Sequence, residues 1–119
     1  MSKEGEFLIG IIDDHIQTGV NISQILEFNG FKIFQAYSLE DAIKLIGEKD
    51  PDLIILDVCM QYNHEGYEIA KKFPKKKVLF MSASNPEEKM LKMKNIGGYI
   101  EKPINSEELL KKVRKILKV

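Results

Sequence analysis

The sequence predicts one α/β domain, a doubly wound five-stranded parallel sheet with helices on both faces. Three observations carry this. Short apolar, β-branched-rich runs alternate strictly with segments of helical spacing, five of each. The first and third runs are apolar almost throughout, as central strands covered on both faces are, rather than alternating like a half-exposed antiparallel strand. The chain has 119 residues, of which 44% are hydrophobic, enough for one core but not for a second domain.

The strand runs are residues 7–12, 31–36, 53–57, 78–82 and 99–100, each too short for a helix and bounded by turn or polar residues. Helical spacing covers 15–28, 39–48, 67–73, 86–94 and 106–118. Asn85, Pro86 and Glu88 read as an N-cap, a proline at the first helical position and an acid in the first turn. Asn105 with Glu108 repeats the cap-plus-acid pattern. Asn29-Gly30 and Gly97-Gly98 read as helix stops. No repeat, low-complexity tract or linker-like stretch interrupts the pattern, so residues 1–119 read as a single domain. Five β-then-α units imply right-handed crossovers and a three-layer α/β/α sandwich. The strand order expected is 2-1-3-4-5, the flavodoxin-like arrangement, although alternation alone does not fix it.

Composition excludes several classes. The 18 basic and 18 acidic side chains cancel, which removes the simplest argument for a nucleic-acid or membrane-surface protein. Residues 1–57 nevertheless hold 4 Lys against 11 Asp or Glu, a balance of −7, and residues 58–119 hold 14 basic against 7 acidic, or +7. The single Cys59 excludes an internal disulfide framework and multi-cysteine zinc motifs, and fits a reducing compartment. No signal-peptide pattern or apolar run of about 20 residues is present, so a cytoplasmic protein without membrane contact is expected.

In open α/β sheets the functional crevice lies beyond the carboxyl ends of the strands. The first strand runs into Asp13-Asp14, the third ends on Asp57, the fourth on Ser82 before Ala83, and the fifth is followed by Lys102-Pro103. Each residue alone has an ordinary reading. Asp13-Asp14 could cap a helix, Ser82 could be a satisfied turn hydroxyl, Lys102 a solvated lysine and Tyr99 a rim aromatic. Their joint placement at one sheet edge overturns those readings. Three carboxylates in one crevice repel one another and require a cation or protonation. An oxygen-only set suits Mg2+, and a facing lysine could meet a phosphoryl group as a point charge. The parts fit a carboxylate that accepts a phosphoryl group.

At this point the residues match a family. Ile11-Ile12-Asp13-Asp14, Leu53-Ile54-Ile55-Leu56-Asp57 with Met60 three residues on, Ser82-Ala83, and Tyr99-Ile100-Glu101-Lys102-Pro103 together resemble the response-regulator receiver domain of two-component systems over nearly the whole chain. The resemblance implies that Asp57 is the phosphoacceptor for a phosphohistidine of a sensor histidine kinase or histidine phosphotransferase. It implies that Asp13, Asp14, Asp57 and the backbone carbonyl of Cys59 hold Mg2+, and that Ser82 and Lys102 contact the phosphoryl oxygens. A cis Lys102-Pro103 bond is implied as well. Ser82 and Tyr99 would form a switch that reshapes the surface of the fourth helix, fifth strand and fifth helix, where a downstream protein docks. Lys89, Lys92, Lys94, Lys111, Lys112, Arg114, Lys115 and Lys118 on those two helices would make that partner acidic.

The chain departs from the family pattern after Met60. It reads Gln61-Tyr62-Asn63-His64-Glu65-Gly66, without the usual proline and with one extra residue, and Ser82 stands where threonine is commoner. Three other readings compete. A receiver-like interaction domain that is never phosphorylated is opposed by the intact acidic pair, Asp57, Ser82 and Lys102. A phosphohydrolase of the haloacid-dehalogenase kind would show Asp-x-Asp where this chain has Asp57-Val58-Cys59, and an FMN binder would not place acids after its first strand. His15 and His64 lack a second histidine at ligand spacing, and Cys59 lacks the electropositive setting of a reactive thiol.

Overall fold

A computed structural model describes residues 4–58, 65–83 and 88–119. After a short 3-10 turn at Glu4–Glu6, the order is β1 (Leu8–Ile12), α1 (Ile16–Phe28), β2 (Lys32–Ala36), α2 (Leu39–Lys49) and β3 (Leu53–Asp57). Then follow α3 (Glu65–Lys72), β4 (Lys77–Ser82), α4 (Glu88–Leu91), β5 (Ile96–Glu101) and α5 (Ser106–Leu117). All neighbouring strands pair in parallel, in the order β2-β1-β3-β4-β5. The winding reverses between β1 and β3, so a crevice opens at their carboxyl ends.

The side-chain alternation of the strands feeds two cores. Ile12, Phe34, Leu56 and Phe80 point to one face, against Ala42 and Ile46 of α2, Ile69 and Ala70 of α3, and Met90 of α4. Ile9, Ile11, Ile55 and Met81 point to the other, against Ile22 and Leu26 of α1 and Leu109 and Val113 of α5. Strand β3 is buried at all five positions, which accounts for its unbroken apolar sequence.

The punctuation holds at two of the expected ends. Asn105 accepts the Glu108 N–H at 2.9 Å, as expected for an N-cap, and Gly30 takes φ 94 just past Asn29. Ser38 is a further cap that accepts the Asp41 N–H at 3.2 Å. Gly97-Gly98 requires correction, because both lie inside β5 and do not stop a helix. The β4–β5 register slips there, from Val78 opposite Ile96 to Leu79 opposite Gly98. Gly98 supplies the φ of 141 that this irregularity needs. That bulge explains why β5 is longer than the residues 99–100 expected from the apolar pattern. Helix α4 ends at Leu91, short of the expected residue 94; its expected start at Asn85 and Pro86 lies outside the described residues. Among those residues no helix is long and apolar enough to cross a membrane.

Candidate functional site

The acidic corner is built by backbone continuations of the strands. The Asp13 N–H donates to the Ala36 carbonyl at 3.2 Å and carries the β1–β2 ladder one rung further. Its Oδ1 then accepts the His15 N–H at 2.8 Å, an Asx turn that fixes the carboxylate at the start of α1. Asp57 closes β3, and the next residue, Val58, donates to the Met81 carbonyl at 3.0 Å. On the far side the Lys102 N–H donates to the Ser82 carbonyl at 2.8 Å, before a cis Lys102-Pro103 bond.

These continuations bring the side chains together. Carboxylate oxygens of Asp13, Asp14 and Asp57 lie within 4.8 Å of one another. Asp13 is fully buried and Asp57 is 7% exposed, whereas Asp14 stands at the solvent side. Lys102 Nζ reaches between two of them, at 3.1 Å from Asp13 Oδ2 and 3.1 Å from Asp57 Oδ2. Burial pulls the Lys102 pKa down, but the hydrogen bond to Asp13 and the charges of Asp13 and Asp57 outweigh it, so the ammonium is held above its usual value.

The four side chains carry three negative charges and one positive. Buried carboxylates in that imbalance favour binding of a further cation. An all-oxygen set opening to solvent through Asp14 fits Mg2+, which keeps several waters and takes few carboxylates. The backbone carbonyl of Cys59, expected as a further ligand, lies outside the described residues, as do Met60 and His64. His15 Nδ1 is hydrogen-bonded to Thr18 Oγ1 at 2.7 Å.

Ser82 is buried at the end of β4. Tyr99 pairs with Phe80 across the β4–β5 ladder and packs, partly buried, against the α2–α3–α4 core. By strand alternation Ser82 and Tyr99, the two expected switch residues, lie on that same face of the sheet. Arg114 does not join the basic surface of α4 and α5; it turns to Glu4 Oε2 at 3.6 Å and Asn29 Oδ1 at 3.5 Å.

Gly66 is a supporting residue that the sequence pattern did not single out. Its N–H donates to the Val58 carbonyl at 3.2 Å, and a Cβ there would collide with the Asp57 carbonyl oxygen. Only glycine lets the first turn of α3 rest on the backbone that carries Asp57. The signal available was a glycine beside a helix start, close after a functional strand end.

Residues 9–114 match the family model described as response regulator receiver domain. The chain belongs to this family, the receiver domains of two-component response regulators. Among solved structures, a two-component response regulator from Clostridium difficile is 30% identical, with a TM-score of 0.82 over 94% of this chain and 96% of that one. The response regulator TrrA from Thermotoga maritima, solved in complex with Mg2+ and BeF, is 27% identical, with a TM-score of 0.81 over 92% of this chain and 98% of that one. A CheY-like receiver domain protein from Methanospirillum hungatei shares the fold at 24% identity, with a TM-score of 0.84 over 94% of each chain.

Proposed function

We propose that this domain is a phosphoacceptor: Asp57 takes a phosphoryl group from a phosphohistidine of a sensor histidine kinase or histidine phosphotransferase, and the modified domain regulates a downstream protein through its α4–β5–α5 surface. The observation that carries the reading is the buried Asp57 carboxylate at the end of a central strand, bridged by Lys102 to Asp13. In the transfer an Asp57 carboxylate oxygen bonds to phosphorus as the N–P bond of the donor breaks, and the bonding pair returns to the donor imidazole. Lys102 is placed to move its charge from the carboxylate to the phosphoryl oxygens, and the Ser82 hydroxyl can donate to one of them. Asp13, Asp14 and Asp57 would hold Mg2+, which supplies the positive charge that lets the anionic acceptor and the anionic phosphoryl group approach. With its hydroxyl engaged, Ser82 would vacate space on the face it shares with Tyr99, and the Tyr99 ring would follow, altering the edge strand β5.

The test is incubation with Mg2+ and acetyl phosphate, followed by intact-mass measurement. A hydroxylamine-labile gain of one phosphoryl group in the wild type, missing from Asp57→Asn, is the expected result. No adduct in either protein, or the same adduct in both, contradicts the reading.

A further inference from the structure

Helices α2 and α3 lie side by side, and α2 packs on β2, the edge strand opposite β5. Between the two helices runs an open groove of about 510 Å³, lined by Leu39 and Ile43 of α2 and by Glu68, Lys71 and Lys72 of α3. Leu39 packs partly against the core, whereas Ile43 joins neither core among the described residues. Gly47 stands one turn beyond Ile43 on the same side of α2, and a Cβ there would meet nothing within 4 Å among the described residues. A glycine inside a helix costs about 1 kcal/mol relative to alanine, and no close approach within the domain accounts for this one. It leaves the α2 backbone open to approach from outside.

The two helices carry opposite charge at opposite ends. Helix α2 begins at the carboxyl edge of the sheet, just after β2, with Glu40 and Asp41 exposed in its first turn. Helix α3 ends at the amino edge, shortly before β4, with Lys71 and Lys72 exposed in its last turn. Each pair suits its own helix dipole, and together they make one face with an acidic end and a basic end. Glu68 holds Lys71 at 3.0 Å, and Lys71 Nζ lies 4.8 Å from the centre of the Tyr67 ring, so that ammonium is fixed at the basic end beside Lys72. Glu48 and Lys49 cancel at the end of α2. Charges segregated in this way complement a reversed copy of the same face better than a partner of one sign. A two-fold axis across the helices turns one copy end for end and sets acid on base twice.

We infer that the α2–α3 face pairs with the same face of a second copy of this chain. Glu40 and Asp41 of each copy meet Lys71 and Lys72 of the other, and Leu39, Ile43 and Gly47 are covered between them. The face shares no residue with the acidic corner or with the α4–β5–α5 surface, so pairing does not require Asp57 to be modified. Two short helices offer less than the roughly 800 Å² per partner of a standard interface, and a weak dimer with a Kd of about 0.1 mM follows.

The test is sedimentation equilibrium of the full chain at concentrations on either side of that Kd. Wild type and Asp57→Asn should dimerise equally, and less as salt is raised. The acidic variant, Lys71→Glu with Lys72→Glu, and the basic variant, Glu40→Lys with Asp41→Lys, should each weaken self-association about tenfold or more, because like charges then face each other. An equimolar mixture of the two should dimerise again, since acid meets base in the mixed pair, whereas damage to the fold is not repaired by mixing. Gly47→Gln should keep the thermal stability of the monomer and lose the dimer, and Lys112→Glu with Lys115→Glu on α5 should leave the dimer unchanged. A chain that stays monomeric throughout, a dimer indifferent to the α2 and α3 reversals, a mixture that does not recover, or a dimer lost in the α5 variant would overturn the assignment.

Discussion

Replacing Lys102 by methionine keeps most of its apolar stem and removes the ammonium, leaving Asp13 buried with one oxygen stripped of its cation. Asp13 has no solvent exposure, and its Oδ2 stands 3.1 Å from the Lys102 nitrogen. Removing one partner of a buried ion pair costs about 3–5 kcal/mol. Two features reduce that here. The Lys102 side chain is 24% exposed, so water already weakens the pair, and Asp13 Oδ1 keeps its bond from the His15 N–H. A loss of about 2–3 kcal/mol follows, equivalent to a fall in Tm of roughly 10 °C for a domain of this size. Urea unfolding at pH 7 in chelator-treated buffer measures it, with Lys111→Met as a surface control that stays within about 0.5 kcal/mol of wild type. If Lys102→Met unfolds within that same margin at unchanged m value, the ion pairs do not hold the apo site together and the reasoning fails.

Three further outcomes are expected. Gly66→Ala should destabilise by about 3 kcal/mol, because its Cβ collides with the backbone carbonyl of Asp57, which cannot give way as a side chain can. Gly97→Ala meets only the flexible end of Ile116 and should cost about 1 kcal/mol, so reversal of that order in urea unfolding would show that α3 does not seat as described. Saturation with Mg2+ at about 100 times its Kd should stabilise the wild type by about 2.7 kcal/mol. Thermal unfolding should show most of that gain gone in Asp13→Asn, and an equal gain in both would place the ion elsewhere. The raised Lys102 pKa stabilises the fold below the unfolded value of about 10.4, and that contribution is lost as pH rises through the higher folded value. Urea unfolding across the alkaline range should accordingly show an extra loss in the wild type that Lys102→Met lacks.

Much of the fold was legible because the strands obey simple rules. Strand β3 is buried on both faces and reads as an unbroken apolar run ending on Asp57, and a carboxylate closing such a run calls for a compensating partner. Lys102 could be placed opposite it because strand ends of a parallel sheet share one edge. Strand β5 was largely hidden, since Gly97 and Gly98 interrupt the apolar pattern and resemble a helix stop until the slipped register with β4 is known. The orientation of Arg114 was also inaccessible. Helical spacing puts it with the lysines of α5, but its partners Glu4 and Asn29 are remote in sequence. Gly66 escaped for the same reason, because a close approach between helix and strand backbone is a tertiary fact.

The most direct measurement of the central claim is an NMR titration of the full chain with Mg2+ and beryllofluoride, which mimics a phosphoryl group on a carboxylate. The account predicts large shifts at Asp57, Ser82, Lys102 and Tyr99 in the wild type, none in Asp57→Asn, and a changed Tyr99 ring environment. Shifts that are absent, or that survive Asp57→Asn, would contradict the assignment of Asp57, and a Tyr99 ring that stays in place while the other three respond would contradict the switch.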